Sequence, residues 1–272
     1  MKFKLFLIFI TLSMLTAGCI TNSQHTTQEK YDLKYDFEKG KQYSYQVLAT
    51  IEKPSTKVSG TTEVHVVNTE NNHINLKVLT ETTANTKSEA EETYYINMST
   101  RGKITKLSSN NLIVPEIQLE LVPILQYPEK EFAKGDIWNS SFNKNDSFFI
   151  DDNLVEYTVF GNNTYECLGQ DEISVNAGKF DCVAIGTTTN YILDVEFKSE
   201  NKSIHLKTIG TTLGENWIDL DRGILIKSEY NLDKNTITNY SEIYKEIGIE
   251  NAYRETPLKS YITSELLNIE GN

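Results

Sequence analysis

The chain has 272 residues, with 26 Lys and Arg against 38 Asp and Glu, and a formal net charge of −12 at pH 7. So acidic a chain is repelled by phosphate backbones and by anionic lipid surfaces, which excludes DNA and RNA as partners. Its length suffices for one large or two modest cores.

Lys2 and Lys4 precede an apolar run from Leu5 to Leu15, which ends in the small residues Thr16-Ala17-Gly18 and Cys19. A basic head, a short apolar stretch and a small-residue exit form an export signal. A permanent membrane span needs about 20 apolar residues, more than this run supplies. The ending Leu-Thr-Ala-Gly-Cys resembles the lipobox of bacterial and archaeal membrane lipoproteins. Ala17, Gly18 and Cys19 match, while Thr16 stands where a leucine is usual. The resemblance implies that residues 1–19 are a lipoprotein signal whose Cys19 is lipidated and becomes the new N-terminus. Two or more acyl chains hold a protein firmly at a membrane, so the body is expected at the cell membrane, facing the extracellular or periplasmic side. An uncleaved signal anchor and an ordinary signal peptide are the alternatives. Cleavage before Cys19 would leave 254 residues carrying −14.

Residues 20–30 are polar and lack an apolar period, and read as a tether of at most about 35 Å. From Tyr31 the apolar period is two. Tyr43, Tyr45, Val47 and Ala49 alternate with Ser44, Gln46 and Leu48, Ile74, Leu76 and Val78 with Asn75 and Lys77, and Tyr191, Leu193, Val195 and Phe197 with Ile192, Asp194 and Glu196. Such alternation marks strands with one buried and one wet face, hence antiparallel sheet. Turn clusters separate the runs at residues 70–73, 99–102, 176–179, 221–223 and 233–235. The expected fold class is all-β.

An internal echo divides the chain. Phe37-Glu38-Lys39-Gly40 is answered by Phe132-Ala133-Lys134-Gly135, each three residues before an aromatic that opens a strand. Tyr95-Ile96-Asn97 followed by Arg101-Gly102 is answered by Trp217-Ile218-Asp219 followed by Arg222-Gly223. These repeats predict either two tandem curved sheets or two halves of one large sheet. The halves are an N-terminal lobe over 31–112 and a C-terminal lobe over 132–247. Between them, residues 113–131 hold Pro115, Pro123 and Pro128 among apolar neighbours. Proline excludes a central strand, so this stretch is expected to be a connector packed between the lobes, or a lid over an apolar cavity. The tail, 248–272, loses the alternation. Leu258, Tyr261, Ile262, Glu265, Leu266 and Ile269 recur at helical spacing after Pro257 and predict a short helix.

The stretch Glu172 to Phe180 (EISVNAGKF) predicts a hairpin with its turn at Ala177-Gly178. It resembles the E-x-V-x-V-P-A-G-x-F hairpin of uncharacterised envelope β-proteins, with Asn176 in place of the proline. The resemblance covers about residues 130–245 and implies antiparallel strands curved around a core, without an activity. Cys167 and Cys182 flank the hairpin and are candidates for a disulfide. Pairing Val175 with Phe180 would hold the sulfurs roughly 20 Å apart, against the Cα limit of about 7 Å. A bend at Gly169 and an oxidising compartment would favour closure, and both outcomes stay open.

No catalytic or metal-binding set emerges, and no cofactor is implied. His25, His65, His73 and His205 are scattered, without a paired metal spacing. Asp219-Leu220-Asp221-Arg222-Gly223 is better read as a turn than as a calcium loop, since the later ligands are missing. Asp151 and Asp152 would point to opposite faces of a strand. Of six N-x-[ST] sites, Asn145 and Asn162, in apparent loops, are the candidates for glycosylation. The expected function is a non-catalytic, lipid-anchored envelope protein that binds an envelope partner or serves structurally. The alternatives are a carrier of an apolar ligand in a β-lined cavity and, last, an envelope hydrolase.

Overall fold

The computed structural model describes residues 29–53, 55–70, 72–84, 89–109, 124–150, 153–199 and 202–271. The leader with Cys19, the tether up to Gln28, residues 113–123 of the connector, and Asp151-Asp152 lie outside these. In chain order the strands are β1 (Lys30–Tyr31), β2 (Gln42–Ile51), β3 (Thr56–Glu70), β4 (His73–Ala84), β5 (Glu89–Ser99) and β6 (Ile104–Ser109). There follow β7 (Phe132–Ala133), β8 (Ile137–Ile150), β9 (Asn153–Val175), β10 (Gly178–Ser199), β11 (Lys202–Asp219), β12 (Leu225–Asn239) and β13 (Tyr253–Glu270). One helical turn, α1 (Ser241–Tyr244), runs into a 3-10 turn at Lys245–Ile247.

Eleven strands form one antiparallel sheet in the order β6-β5-β4-β3-β2-β13-β12-β11-β10-β9-β8, and β1 pairs β7 in a separate two-stranded sheet. The repeated halves are therefore two halves of a single sheet. What joins them is β13, which pairs β12 on one side and β2 on the other. The segment expected as a short helix is thus the sixth of the sheet's eleven strands, and the α-helical turn among the described residues lies upstream at Ser241–Tyr244. The physical reason is in the burial pattern. Ser260, Ile262, Ser264 and Leu266 all face inward, so the buried face has period two, but two of its four members are serines. A bulge between Leu266 and Asn268 then shifts the register and brings Ile269 onto the helical spacing.

Strands β9 and β10 run for 23 and 22 residues, roughly 70 Å at the usual rise. One hairpin therefore spans two separate clusters of buried side chains. At one end the curled sheet closes over Tyr43, Ile74, Ile96, Met98, Ile185 and Ile226, each no more than 1% exposed, together with many others. At the far end Val155, Tyr157, Val159, Leu193 and Val195 form a smaller cluster. Val47, Tyr191, Tyr230, Leu232 and Ile262 lie between. The alternation predicted for β2, β4 and β10 is what builds these inner faces.

Candidate functional site

The closed end is built from the elements of the internal echo. Residues 31–37 form an extended strap, with Tyr31, Leu33, Tyr35 and Phe37 buried and Asp32, Lys34 and Asp36 exposed. Its period of two matches a strand, yet beyond β1 it has no ladder partner among the described residues. The two Arg-Gly turns hold it instead. Tyr35 N–H donates to Thr100 O at 2.8 Å, and Asp36 N–H donates to Arg222 O at 2.9 Å. The Arg101 guanidinium donates to Leu33 O at 2.9 Å and pairs with Asp32 at 2.6 Å. Hydrogen bonds from Arg101 and Lys34 hold the Asp32 carboxyl below the usual range.

A second strap, residues 124–127, lies in the same cradle. Tyr127 N–H donates to Arg101 O at 2.9 Å, and its hydroxyl donates to Gly223 O at 2.8 Å. The Tyr35 hydroxyl accepts from Leu125 N–H at 2.9 Å and lies 3.2 Å from Leu125 O, to which it donates. Both turn glycines have positive φ, +80° at Gly102 and +62° at Gly223. A Cβ at either would stand 2.0 Å from a strap carbonyl, Leu125 O or Lys34 O respectively. Only glycine lets the backbones approach so closely. The Tyr35 ring stacks on Tyr127 at 4.9 Å and on Phe37 at 5.4 Å. Burial pushes the phenols of Tyr35, Tyr45 and Tyr127 upward, so all three stay neutral. This end is filled by the chain's own aromatic side chains.

At the opposite end, strands β8 to β11 line an open cleft of about 540 Å³ bordered by Asp146, Glu156, Tyr157, Asp194, Glu196 and His205, among others. Glu156, Glu196 and His205 stand opposite one another along the ladder. Like charges so placed repel, and Lys198 offsets this: its amine lies 2.5 Å from Glu156 and 3.1 Å from Glu196, and these bonds raise its pKa. Ser203 Oγ lies 3.1 Å from His205 Nε2, which is 3.4 Å from Glu196. A serine, a histidine and an acid thus meet, but serine and acid approach the same ring nitrogen. A relay needs the two opposite nitrogens. The Ser203 hydroxyl donates instead to Glu242 of α1 at 2.7 Å, and its backbone N–H donates to the same carboxylate at 2.8 Å. Those bonds hold the Glu242 carboxyl below the usual range. The arrangement is a hydrogen-bonded ion-pair ladder with an acidic, acceptor-rich lining. Its chemistry suits cationic or hydroxyl-rich groups.

Cys167 and Cys182 are both free thiols, each 0% exposed. Cys167 stands opposite Ile185, three residues along β10 from Cys182, or roughly 10 Å. The hairpin turn is Asn176-Ala177, with Val175 opposite Gly178 rather than Phe180, which halves the separation expected from sequence but leaves it too long for a bond. Burial pushes the Cys182 thiol up to about 12.

Asn145 and Asn162 are exposed but lie within β8 and β9, not in loops. The Asn145 amide oxygen accepts from Thr158 at 3.1 Å, one of several Asn–Thr pairs across the convex face. Asp219 is buried and bound by Arg222 at 2.6 Å, in the turn read from sequence. Among the described residues, no group of three or more His, Cys, Asp and Glu could hold a metal ion. The cleft itself was not anticipated. Glu156 and Glu196 come from positions 40 residues apart, and Glu196-x-Lys198 and Ser203-x-His205 are the local traces.

No protein-family model and no curated protein matches the sequence. Among solved structures, the chain is similar to a Bacteroides fragilis protein described as exported, with a YmcC-like fold. That likeness has 10% identity, covers 88% of this chain and 99% of the other, and has a TM-score of 0.32. A Parabacteroides distasonis protein described as a lipoprotein is similar at 15% identity, over 88% of this chain and 100% of the other, with a TM-score of 0.36. Likenesses this remote have no bearing on function.

Proposed function

We propose that the chain is a non-catalytic envelope protein, moored through a lipid on Cys19 with its folded body facing outward, and that it serves there as a binding or structural component. The observation that carries this reading is the filled closed end, where two straps and their aromatic side chains occupy the interior that a carrier would keep for its ligand. The cleft supports it too. Glu156 and Glu196 are tied to Lys198 and Ser203 to Glu242, so these groups are committed to one another rather than poised for proton transfer.

The test has two parts. The intact chain, expressed with its leader and fed a radiolabelled fatty acid, takes up label and fractionates with membranes, while Cys19→Ala does neither. Organic extraction of the purified chain then yields acyl chains only from the covalent anchor. Label on Cys19→Ala, or the intact chain in the soluble cytosolic fraction, would remove the mooring. A stoichiometric, non-covalent lipid in the extract would make the protein a carrier instead.

A further inference from the structure

The sheet ends on a long bare edge. Strand β8 stands last in the strand order, pairs with β9 alone among the described residues, and is 14 residues long. An unpaired edge of this length presents a row of backbone donors and acceptors that templates a further strand. Natural edges are commonly blunted by an inward-pointing lysine, and Lys144 is one, half-buried on the concave face. Its setting changes what it does. Phe142, Lys144, Asp146 and Phe148 alternate along β8 about a centre at Asn145, and the Lys144 amine lies 3.6 Å from the Asp146 carboxylate of its own strand.

We infer that this edge pairs with the same edge of a second copy, antiparallel and two-fold symmetric about Asn145, to give one sheet continuous through both chains. Asn145 then meets its own equivalent. Lys144 stands opposite the second copy's Asp146, and Asp146 opposite its Lys144, so that two cations and two anions alternate around a square. Phe142 stands opposite Phe148 in the same way. Both rings already pack partly against the apolar clusters of the concave face, and the pairing extends those clusters across the junction.

Charge also selects the register. A continuous sheet keeps the two concave faces on one side, so the centre must fall on a residue. Centring on Lys144 sets lysine against lysine, and centring on Asp146 sets aspartate against aspartate. Both place like charges directly opposite on a sheet face, which is unfavourable. The sequence Phe-Asn-Lys-Asn-Asp-Ser-Phe thus reads as a self-complementary edge, and an isologous two-fold contact is the commonest form of assembly.

The test uses the full chain in mild detergent. Analytical ultracentrifugation is expected to give the mass of two copies. Under mild oxidation Asn145→Cys is expected to form a covalent dimer, while Asn143→Cys, whose partner position is Ser147, stays at the background of the unmodified chain. Asn143→Cys with Ser147→Cys in the same chain is expected to cross-link again. Lys144→Asp is expected to shift the mass to one copy, and Lys144→Asp with Asp146→Lys to restore two. A one-copy mass for the unmodified chain overturns the proposal and leaves the edge to a strand of another protein. Cross-linking of Asn143→Cys at the rate of Asn145→Cys, or a two-copy mass for Lys144→Asp, overturns it equally. Each of these readouts is separate from the mooring at Cys19.

Discussion

Replacing Tyr35 by Phe removes one oxygen from the strap and leaves its ring stacking on Tyr127 and Phe37 in place. Yet that oxygen serves two buried backbone groups at once, the N–H and the C=O of Leu125. Leu125 is 2% exposed, so water does not replace the lost partner. A buried donor or acceptor left without one costs about 1–3 kcal/mol. The N–H bears this in full and the carbonyl in part, for a combined loss of about 3 kcal/mol. In a chain of this size 1 kcal/mol corresponds to roughly 2–4 °C, so the melting temperature should fall by roughly 6–12 °C. Urea unfolding followed by tryptophan fluorescence reads the same loss as a lower midpoint with an unchanged slope. Tyr253→Phe, at an exposed position, is the control and should be close to neutral. Tyr127→Phe removes the bond to Gly223 O in the same cradle, so the two substitutions together should depart from additivity by at least about 0.5 kcal/mol. If Tyr35→Phe stays within about 0.5 kcal/mol of the parent at equal slope, this hydroxyl does not hold the two straps together.

Gly223→Ala should be far more damaging than Gly40→Ala. Both residues have positive φ, which costs an alanine about 1 kcal/mol, but the Gly223 Cβ would meet Lys34 O at 2.0 Å while the Gly40 Cβ meets nothing within 4 Å; comparable melting temperatures would refute this. Neither Cys167 nor Cys182 should react with iodoacetamide in the folded chain, whereas both react in denaturant without prior reduction, as intact-mass measurement would show. The Cys182 thiol is raised in the folded state to about 12, so the folded chain holds its proton where the unfolded chain does not. Stability from this group is complete below the ordinary thiol range and falls as pH rises from about 9 toward 12; Cys182→Ala should make the alkaline decline shallower, and an unchanged slope would count against it. Deleting residues 253–272 removes the partner of both β2 and β12, so circular dichroism should show loss of the cooperative unfolding transition rather than a small local change.

What could be read beforehand follows from which face each residue supplies. Strands β2, β4 and β10 carry Tyr, Val, Ile and Leu inward and, apart from Leu48 and Ile192, mainly polar residues outward, so alternation alone located them. The echoed Arg-Gly turns were visible as well, because a glycine at positive φ and a preceding arginine leave a local signature. Their shared task was hidden: the straps they hold are joined to them by hydrogen bonds between residues as far apart in the chain as Asp36 and Arg222. Strand β13 escaped because Ser260 and Ser264 sit on its buried face and a bulge displaces Ile269. Asn145 and Asn162 looked like loop residues because the convex face of β8 and β9 is built from Asn, Ser and Thr pairs instead of alternating charge. The cleft ladder was illegible for a different reason, since nothing in a linear reading sets Glu156 opposite Glu196.

The position of β13 also orders events in time. As the ribosome releases polypeptide from its beginning onward, every other described strand emerges while the keystone is still inside. Until it arrives, β2 and β12 have no neighbour on the side where they will finally meet, and the first half cannot be sealed to the second. The emerging polypeptide consequently stays unsealed through most of its synthesis, and locks when its sixth-in-space, thirteenth-in-line segment slides into the gap.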